Sequence, residues 1–181
     1  MGFRLSDTTE VVLENVRVPR SAVIGEVGCG MSIALNALNL SRAFISTLAV
    51  GIMQRALDEA VAYAKQRKQF GKRLIDFEMV QQMLADMAIK TEAARVLVNN
   101  CMRQMDAGEM VRKDGAIVKT FVTDAMQEVV SNAVQVLGGY GYSEEYPVEK
   151  LMRDAKIFQI FEGSNQIQRM TIAKELDREY R

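Results

Sequence analysis

The chain predicts an all-α fold: an up-down four-helix bundle with a short β segment at its N-terminus. Three observations predict it. Apolar residues recur at helical spacing from about Met31 onwards. The joints between these stretches are brief, which makes successive long helices antiparallel neighbours. β-Branched runs are confined to residues 1–24, as Val11-Val12-Leu13 and Val16-x-Val18, and end at Pro19. One or two strands cannot form a stable sheet alone, so residues 1–24 read as the tail of a β-domain whose other strands lie elsewhere. Residues 25–181 read as the helical domain.

Gly25, Gly28 and Gly30 mark the loop between the two. Met31 to about Gln69 reads as one long helix carrying Leu38, Ile45, Leu48, Ile52, Leu57 and Val61. Its polar face is thin, so it is expected to be largely buried. A second helix runs from about Phe77 to Asp106, with Val80, Met83, Leu84, Met87, Ala94, Leu97, Val98 and Cys101 on one stripe, and Gly108 closes it. A third spans about Arg112 to Leu137 on Val118, Phe121, Val122, Ala125, Val129 and Ala133. Gly138-Gly139 ends it. A glycine- and tyrosine-rich loop then leads to Pro147, a favoured first residue for a helix reaching Phe158. Ser164 offers its hydroxyl as N-cap to a last helix from Asn165 to Leu176.

Composition excludes several function classes. The 181 residues are 49% hydrophobic, enough for a real core. Lys+Arg and Asp+Glu number 23 each, so neither nucleic acid nor an anionic membrane is the expected partner. No uninterrupted apolar run reaches the roughly eighteen residues of a membrane span. There is no His. That removes Ser-His and Cys-His nucleophile pairs, the usual zinc sites and the Glu-x-x-His motif of di-iron bundles, and no metal is expected. Cys29 and Cys101 are far apart with no C-x-x-C spacing. They read as inert thiols in a reducing compartment, the cytoplasm or, in a eukaryote, the mitochondrial matrix.

Three motifs carry chemistry. In Ile160-Phe161-Glu162-Gly163-Ser164-Asn165-Gln166-Ile167-Gln168 a lone carboxylate sits among Phe158, Ile160 and Phe161. Apolar neighbours disfavour its charged form, the condition that prepares a general base. Gly163 permits close approach of backbone or ligand. By themselves these residues fit either an active-site turn or a half-solvated helix corner. Arg67-Lys68-Gln69-Phe70-Gly71 reads as a basic, glycine-capped end to the long helix, or as an Arg fork for phosphate beside an aromatic face. Gln135-Val136-Leu137-Gly138-Gly139-Tyr140-Gly141 ends a helix instead of following a strand, so it is no dinucleotide-binding fingerprint. Its glycines exceed what a C-cap requires.

In combination, L-N-L-S-R at 38–42, R-K-Q-F-G at 67–71, Q-V-L-G-G-Y-G at 135–141, Y-P-V-E-K-L-M-R-D-A-K at 146–156 and F-E-G-S-N-Q-I-Q at 161–168 resemble the acyl-CoA dehydrogenase family. The resemblance covers essentially the whole chain. Residues 1–24 look like the end of that family's middle β-domain, and residues 25–181 like its C-terminal helical domain. It implies a longer enzyme that dehydrogenates an acyl-CoA thioester at its α and β carbons with FAD. Glu162 matches the base that takes the α-proton, and the backbone N–H of that residue helps hold the thioester oxyanion. Ser164, Asn165 and Gln166 match flavin-contacting positions. Arg67, Phe70 and Gln135, Val136, Leu137, Gly138 and Gly139 match contacts to the FAD of a neighbouring subunit. Asn39, Leu40, Ser41 and Arg42, with Gly163, match substrate-contacting positions.

Two departures from the family pattern bear on this. Some subgroups carry the base immediately before the Arg of the long helix, where this chain has Ser41, which leaves Glu162 as the candidate. Glu78 stands where many members place a flavin-contacting Gln, and a carboxylate would repel phosphate. The resemblance also implies a homo-oligomer, dimer or tetramer, and an electron-transfer flavoprotein as acceptor. An acyl-CoA oxidase shares the same base and flavin. A non-catalytic oligomerising helical module is the reading from a different class.

Overall fold

A computed structural model describes all 181 residues. Helix α1 (Gly30–Gln66) is followed by a two-stranded hairpin, β1 (Lys68–Gln69) and β2 (Lys72–Arg73). Then come α2 (Glu78–Asp106), α3 (Arg112–Leu137), α4 (Pro147–Ala155) and α5 (Asn165–Glu179). Short 3-10 turns fall at Arg20–Ala22, Leu74–Asp76, Gly138–Tyr142 and Lys156–Gln159. The all-α bundle is as expected, and α3 ends at Leu137 because Gly138 takes φ +61°.

α3 is the central element. Fourteen of its 26 residues are buried, against nine of 37 on α1, and it packs on α1, α2, α4 and α5. The stripe on α2 is Leu84, Met87, Thr91, Ala94, Val98 and Cys101, spaced alternately three and four apart as a helix face demands. α1 departs from expectation. Its buried stripe is Ala43, Ser46, Ala49, Val50, Met53, Ala56, Ala60 and Ala64, mostly small side chains that let α3 come close. The larger Leu38, Phe44 and Leu48 are exposed, and Ile45, Ile52, Leu57 and Val61 only half-buried. By length and composition α1 could cross a membrane; here it packs lengthwise on α3 and α2.

Close approach is greatest where α3 begins. A Cβ added to Gly115 would lie 3.3 Å from the Asn39 carbonyl and 3.8 Å from the Arg42 Cβ. The first turns of α3 therefore press on the segment of α1 that carries the L-N-L-S-R motif.

Two expectations are corrected. Residues 1–24 form no strand: Val11, Val12, Leu13, Val16 and Val18 are exposed and pair with nothing, since a strand needs a ladder partner that this chain lacks. Only the first residues dock. Phe3 donates its N–H to Asp154 Oδ1 at 2.5 Å and sets its ring edge-on to Phe158 and Phe161, with centroids 5.4 and 6.3 Å away. Secondly, α1 stops at Gln66, and Arg67 begins a hairpin. Phe70 and Gly71 both take positive φ, +52° and +81°, the conformation that two-residue hairpin loops require.

Candidate active site

The turn between α4 and α5 positions Glu162. Phe158 is fully buried and stacks edge-on with Phe161 at 5.0 Å, which anchors the entry to the turn. Glu162 and Gly163 then take consecutive left-handed φ values of +56° and +84°. For a residue with a Cβ this costs about 1–3 kcal/mol and needs outside support. Two buried side chains supply it. Gln168 Nε2 donates to the carbonyls of Glu162 and Gly163, both at 3.0 Å, and Lys119 Nζ donates to the Gly163 carbonyl at 2.9 Å. Ser164 caps α5, its hydroxyl accepting from the Ile167 N–H at 3.4 Å.

The Glu162 side chain reaches α1. Ser41 Oγ donates to Glu162 Oε2 at 2.5 Å. Beside it Arg42 is buried, donates from Nη1 to Asn39 Oδ1 at 2.9 Å, and leaves its Nε without a partner. Burial lowers the Arg42 guanidinium from its usual value and the Arg112 charge adds to this, while Glu162 opposes it. The expected apolar pocket around the carboxylate is not what forms. Phe158 and Phe161 pack against Phe3, Ile160 is exposed, and the carboxylate meets a hydroxyl with Arg42 and Lys119 nearby. Leu40 is exposed on α1.

Beneath the turn lies a polar network that pattern reasoning missed. Lys119, on α3, is wholly buried and bridges the Gly163 carbonyl to Asn165 Oδ1, 2.7 Å away. Asn165 Nδ2 donates to Thr123 Oγ1 at 2.9 Å and to Asp124 Oδ1 at 2.7 Å. Burial resists ionisation of Asp124, but hydrogen bonds from Arg169, Gln159 and Asn165 outweigh it and hold its carboxyl below the usual range. The Asn165 side chain is thus spent inside the protein, and only its backbone could meet a flavin. Gln166 is exposed. At Gly163 the space where a Cβ would stand is filled by the Gln168 amide, so glycine is needed there for φ and internal packing. The sequence signal for Lys119 was a lone charge inside the apolar stripe Gly115, Val118, Val122, Met126.

A second cluster sits at the far end of α1. Tyr63, Arg67, Gln69 and Leu74 face Val136, Leu137, Gly138, Gly139 and Tyr140 across an open groove of about 610 Å³. The Arg67 guanidinium lies 5.4 Å from the Tyr140 ring centroid. Tyr140 is therefore its aromatic partner; Phe70 stands 92% exposed at the hairpin tip, its ring 6.4 Å from that of Phe77. Gln135 is exposed, whereas Val136 and Leu137 bury their side chains and can offer only backbone. From Arg42 to Gln66 the helix rises roughly 36 Å.

Comparisons with known proteins show the family to which the chain belongs. The family description "Acyl-CoA dehydrogenase, C-terminal domain" matches residues 28–176. The chain belongs to the acyl-CoA dehydrogenase family. It is 48% identical over 177 residues to the probable acyl-CoA dehydrogenase FadE25 of Mycobacterium tuberculosis, covering 97% of this chain and 46% of that one. It is 42% identical over 173 residues to the caffeyl-CoA reductase–Etf complex subunit CarC of Acetobacterium woodii, covering 96% and 46%. Butyryl-CoA dehydrogenase from Megasphaera elsdenii superposes with a TM-score of 0.90 at 45% identity, covering 92% of this chain and 44% of that one. The chain spans about half the length of the relatives it matches.

The family depends on FAD, and the residues present fit such a group. A Cβ at Gly138 or Gly139 would meet nothing within 4 Å, so open space lies above that backbone beside a guanidinium fork and an aromatic face. At the other end, Arg42 keeps a buried donor free next to the carboxylate.

Proposed function

We propose that a full-length protein carrying this chain is an FAD-dependent acyl-CoA dehydrogenase in which Glu162 is the base. The contact between Ser41 and Glu162 carries this reading. It joins two motifs 121 positions apart and aims the only carboxylate of the turn at the α1 segment matched to substrate. Glu162 takes the α-proton, and the C–H electron pair becomes the second bond between the α and β carbons as the β-hydrogen leaves with its own pair. FAD, when bound, supplies the acceptor for that hydride. The Glu162 N–H has no acceptor within the chain and is free to donate to the thioester oxygen as charge develops. Asn39, Ser41 and Arg42 line the approach.

The separation of the two clusters along α1, whose axis rises roughly 36 Å from Arg42 to Gln66, supports a homo-oligomer in which Arg67 and Gly138-Gly139 of one subunit complete the FAD site of another. The relationship to an Etf-complex subunit supports an electron-transfer flavoprotein as acceptor. Glu162→Gln in the full-length protein tests the central claim. It should retain FAD and fold, yet lose flavin reduction by acyl-CoA about 10²–10⁴-fold. Near wild-type bleaching would refute it. Rapid reoxidation of the reduced protein by dioxygen would move the assignment to an acyl-CoA oxidase.

A further inference from the structure

We propose that Lys119 is a positioning residue for Glu162, holding the turn that aims the carboxylate at α1. The proposal rests on the reading of Glu162 as base. Glu162 and Gly163 adopt a left-handed pair that a non-glycine residue does not take unaided. Their two carbonyls are gripped from below by Lys119 and Gln168, each 0% exposed and each on a different helix. Gln168 belongs to α5. Lys119 belongs to α3, the central helix, and bonds the left-handed pair directly to it, beside the contacts that Asn165 and Arg169 make from α5.

The Lys119 ammonium has a geometry suited to that task. Its donors go to the Gly163 carbonyl at 2.9 Å and to Asn165 Oδ1 at 2.7 Å, so one group spans the residue after the base and the first residue of α5. The charges facing it are Arg42 from α1, Glu162 from the turn, and Asp124 of α3, itself paired with Arg169 of α5. A buried ammonium is costly unless bonded, and a bare hydrophobic residue would pack here more cheaply. The cost is intelligible if the cation's work is to fix the turn and lend positive charge below a developing oxyanion. Lys119 touches no reacting atom and acts through Glu162.

The test uses the full-length protein with its flavin. Lys119→Met, nearly isosteric, removes the donors; Lys119→Gln keeps an amide donor about one bond too short. Both should lower kcat, the Met variant about 10²-fold, because a misplacement of about 1 Å costs that much, while KM stays nearly unchanged. In the flavin-free protein, amide hydrogen exchange should quicken at residues 160–167 and remain slow along α3. Wild-type kcat in either folded variant overturns the inference. So does a loss of kcat accompanied by fast exchange throughout α3, which marks a merely structural lysine. If Lys119→Met does not fold, Lys119→Gln decides by the same readings. Glu162→Gln, assayed alongside, separates the two claims. If it is inactive while both Lys119 variants turn over normally, only the Lys119 inference falls; if it remains active, both fall.

Discussion

Ser41 donates its hydroxyl to the Glu162 carboxylate at 2.5 Å, joining the first half of α1 to the turn before α5. The same hydroxyl lies 3.1 Å from the Leu38 carbonyl, and with one proton it can serve one acceptor at a time. The carboxylate therefore has an orienting partner that can be released when substrate enters. Ser41→Thr, which keeps the hydroxyl, should leave kcat of the full-length enzyme within about threefold, whereas Ser41→Ala should lower it about tenfold. A hydrogen bond to a charged group is worth about 1.5–3 kcal/mol, part of which water restores. Equal kcat in the Thr and Ala variants would remove Ser41 from the site.

Arg67 and Lys68 are sequence neighbours with different surroundings. Arg67 is half-buried, lines the groove and lies over Tyr140 at 5.4 Å. Lys68 is exposed in β1. Arg67→Ala should strip flavin from the full-length protein and Lys68→Ala should not, measured as flavin absorbance per chain after purification. Equal flavin content in the two variants would count against the groove as a flavin contact.

Asn165 and Gln166 make a similar contrast for stability. Asn165 is 2% exposed with both amide protons and its oxygen engaged by α3; Gln166 is exposed. Asn165→Ala leaves Lys119 and Asp124 short of partners in the interior and should cost about 2–4 kcal/mol in denaturant unfolding. Gln166→Ala should stay within about 0.5 kcal/mol. A mild effect at Asn165 would mean that water enters the network.

How far the sequence could be read follows from these residues. α3 was legible end to end because its apolar stripe and the Gly138 stop agree. The stripe of α1 was not, since alanines buried against α3 look featureless beside leucines that turn out exposed. The hairpin at 68–73 was hidden because Phe70 accepts a positive φ that its identity does not announce. Residues 11–18 have strand composition, but pairing is a property of two segments and only one is here. At the site, Glu162 and the α1 motif were recognisable as motifs. Their support was not: Lys119 and Asn165 are polar residues that pattern reading assigns to solvent.

The exposed apolar residues of α1 predict association. Phe44 is 54% and Leu48 55% exposed, with Leu35 and Leu40 on the same half of the helix. Leu40, Phe44 and Leu48 follow at four-residue spacing on one helix face, and exposed apolar faces mark association surfaces. Sedimentation of the 181-residue chain should therefore show dimers or larger species, and Phe44→Glu with Leu48→Glu should shift it towards monomer. A monomeric wild-type chain would contradict this.

Lys119 also predicts a pH dependence of stability. Burial lowers its pKa from 10.5 to about 8, with Arg42 adding to the effect and Asp124 and Glu162 opposing it. The folded state therefore gives up this proton more readily than the unfolded state. Between about pH 8 and 10.5 the unfolded chain binds more protons, so stability contributed by this group rises with pH. Below about pH 8 both states are charged and the full cost, about 3 kcal/mol, is present; above about 10.5 it is gone. The Lys119→Met variant lacks this term and serves as reference, since other titrating groups cancel in the difference. In denaturant unfolding near pH 7.5 and near pH 10, wild type should gain about 2 kcal/mol on the Met variant at the higher pH. A difference that stays flat, or falls as pH rises, would mean that the ammonium is solvated in the folded protein and that its burial costs nothing.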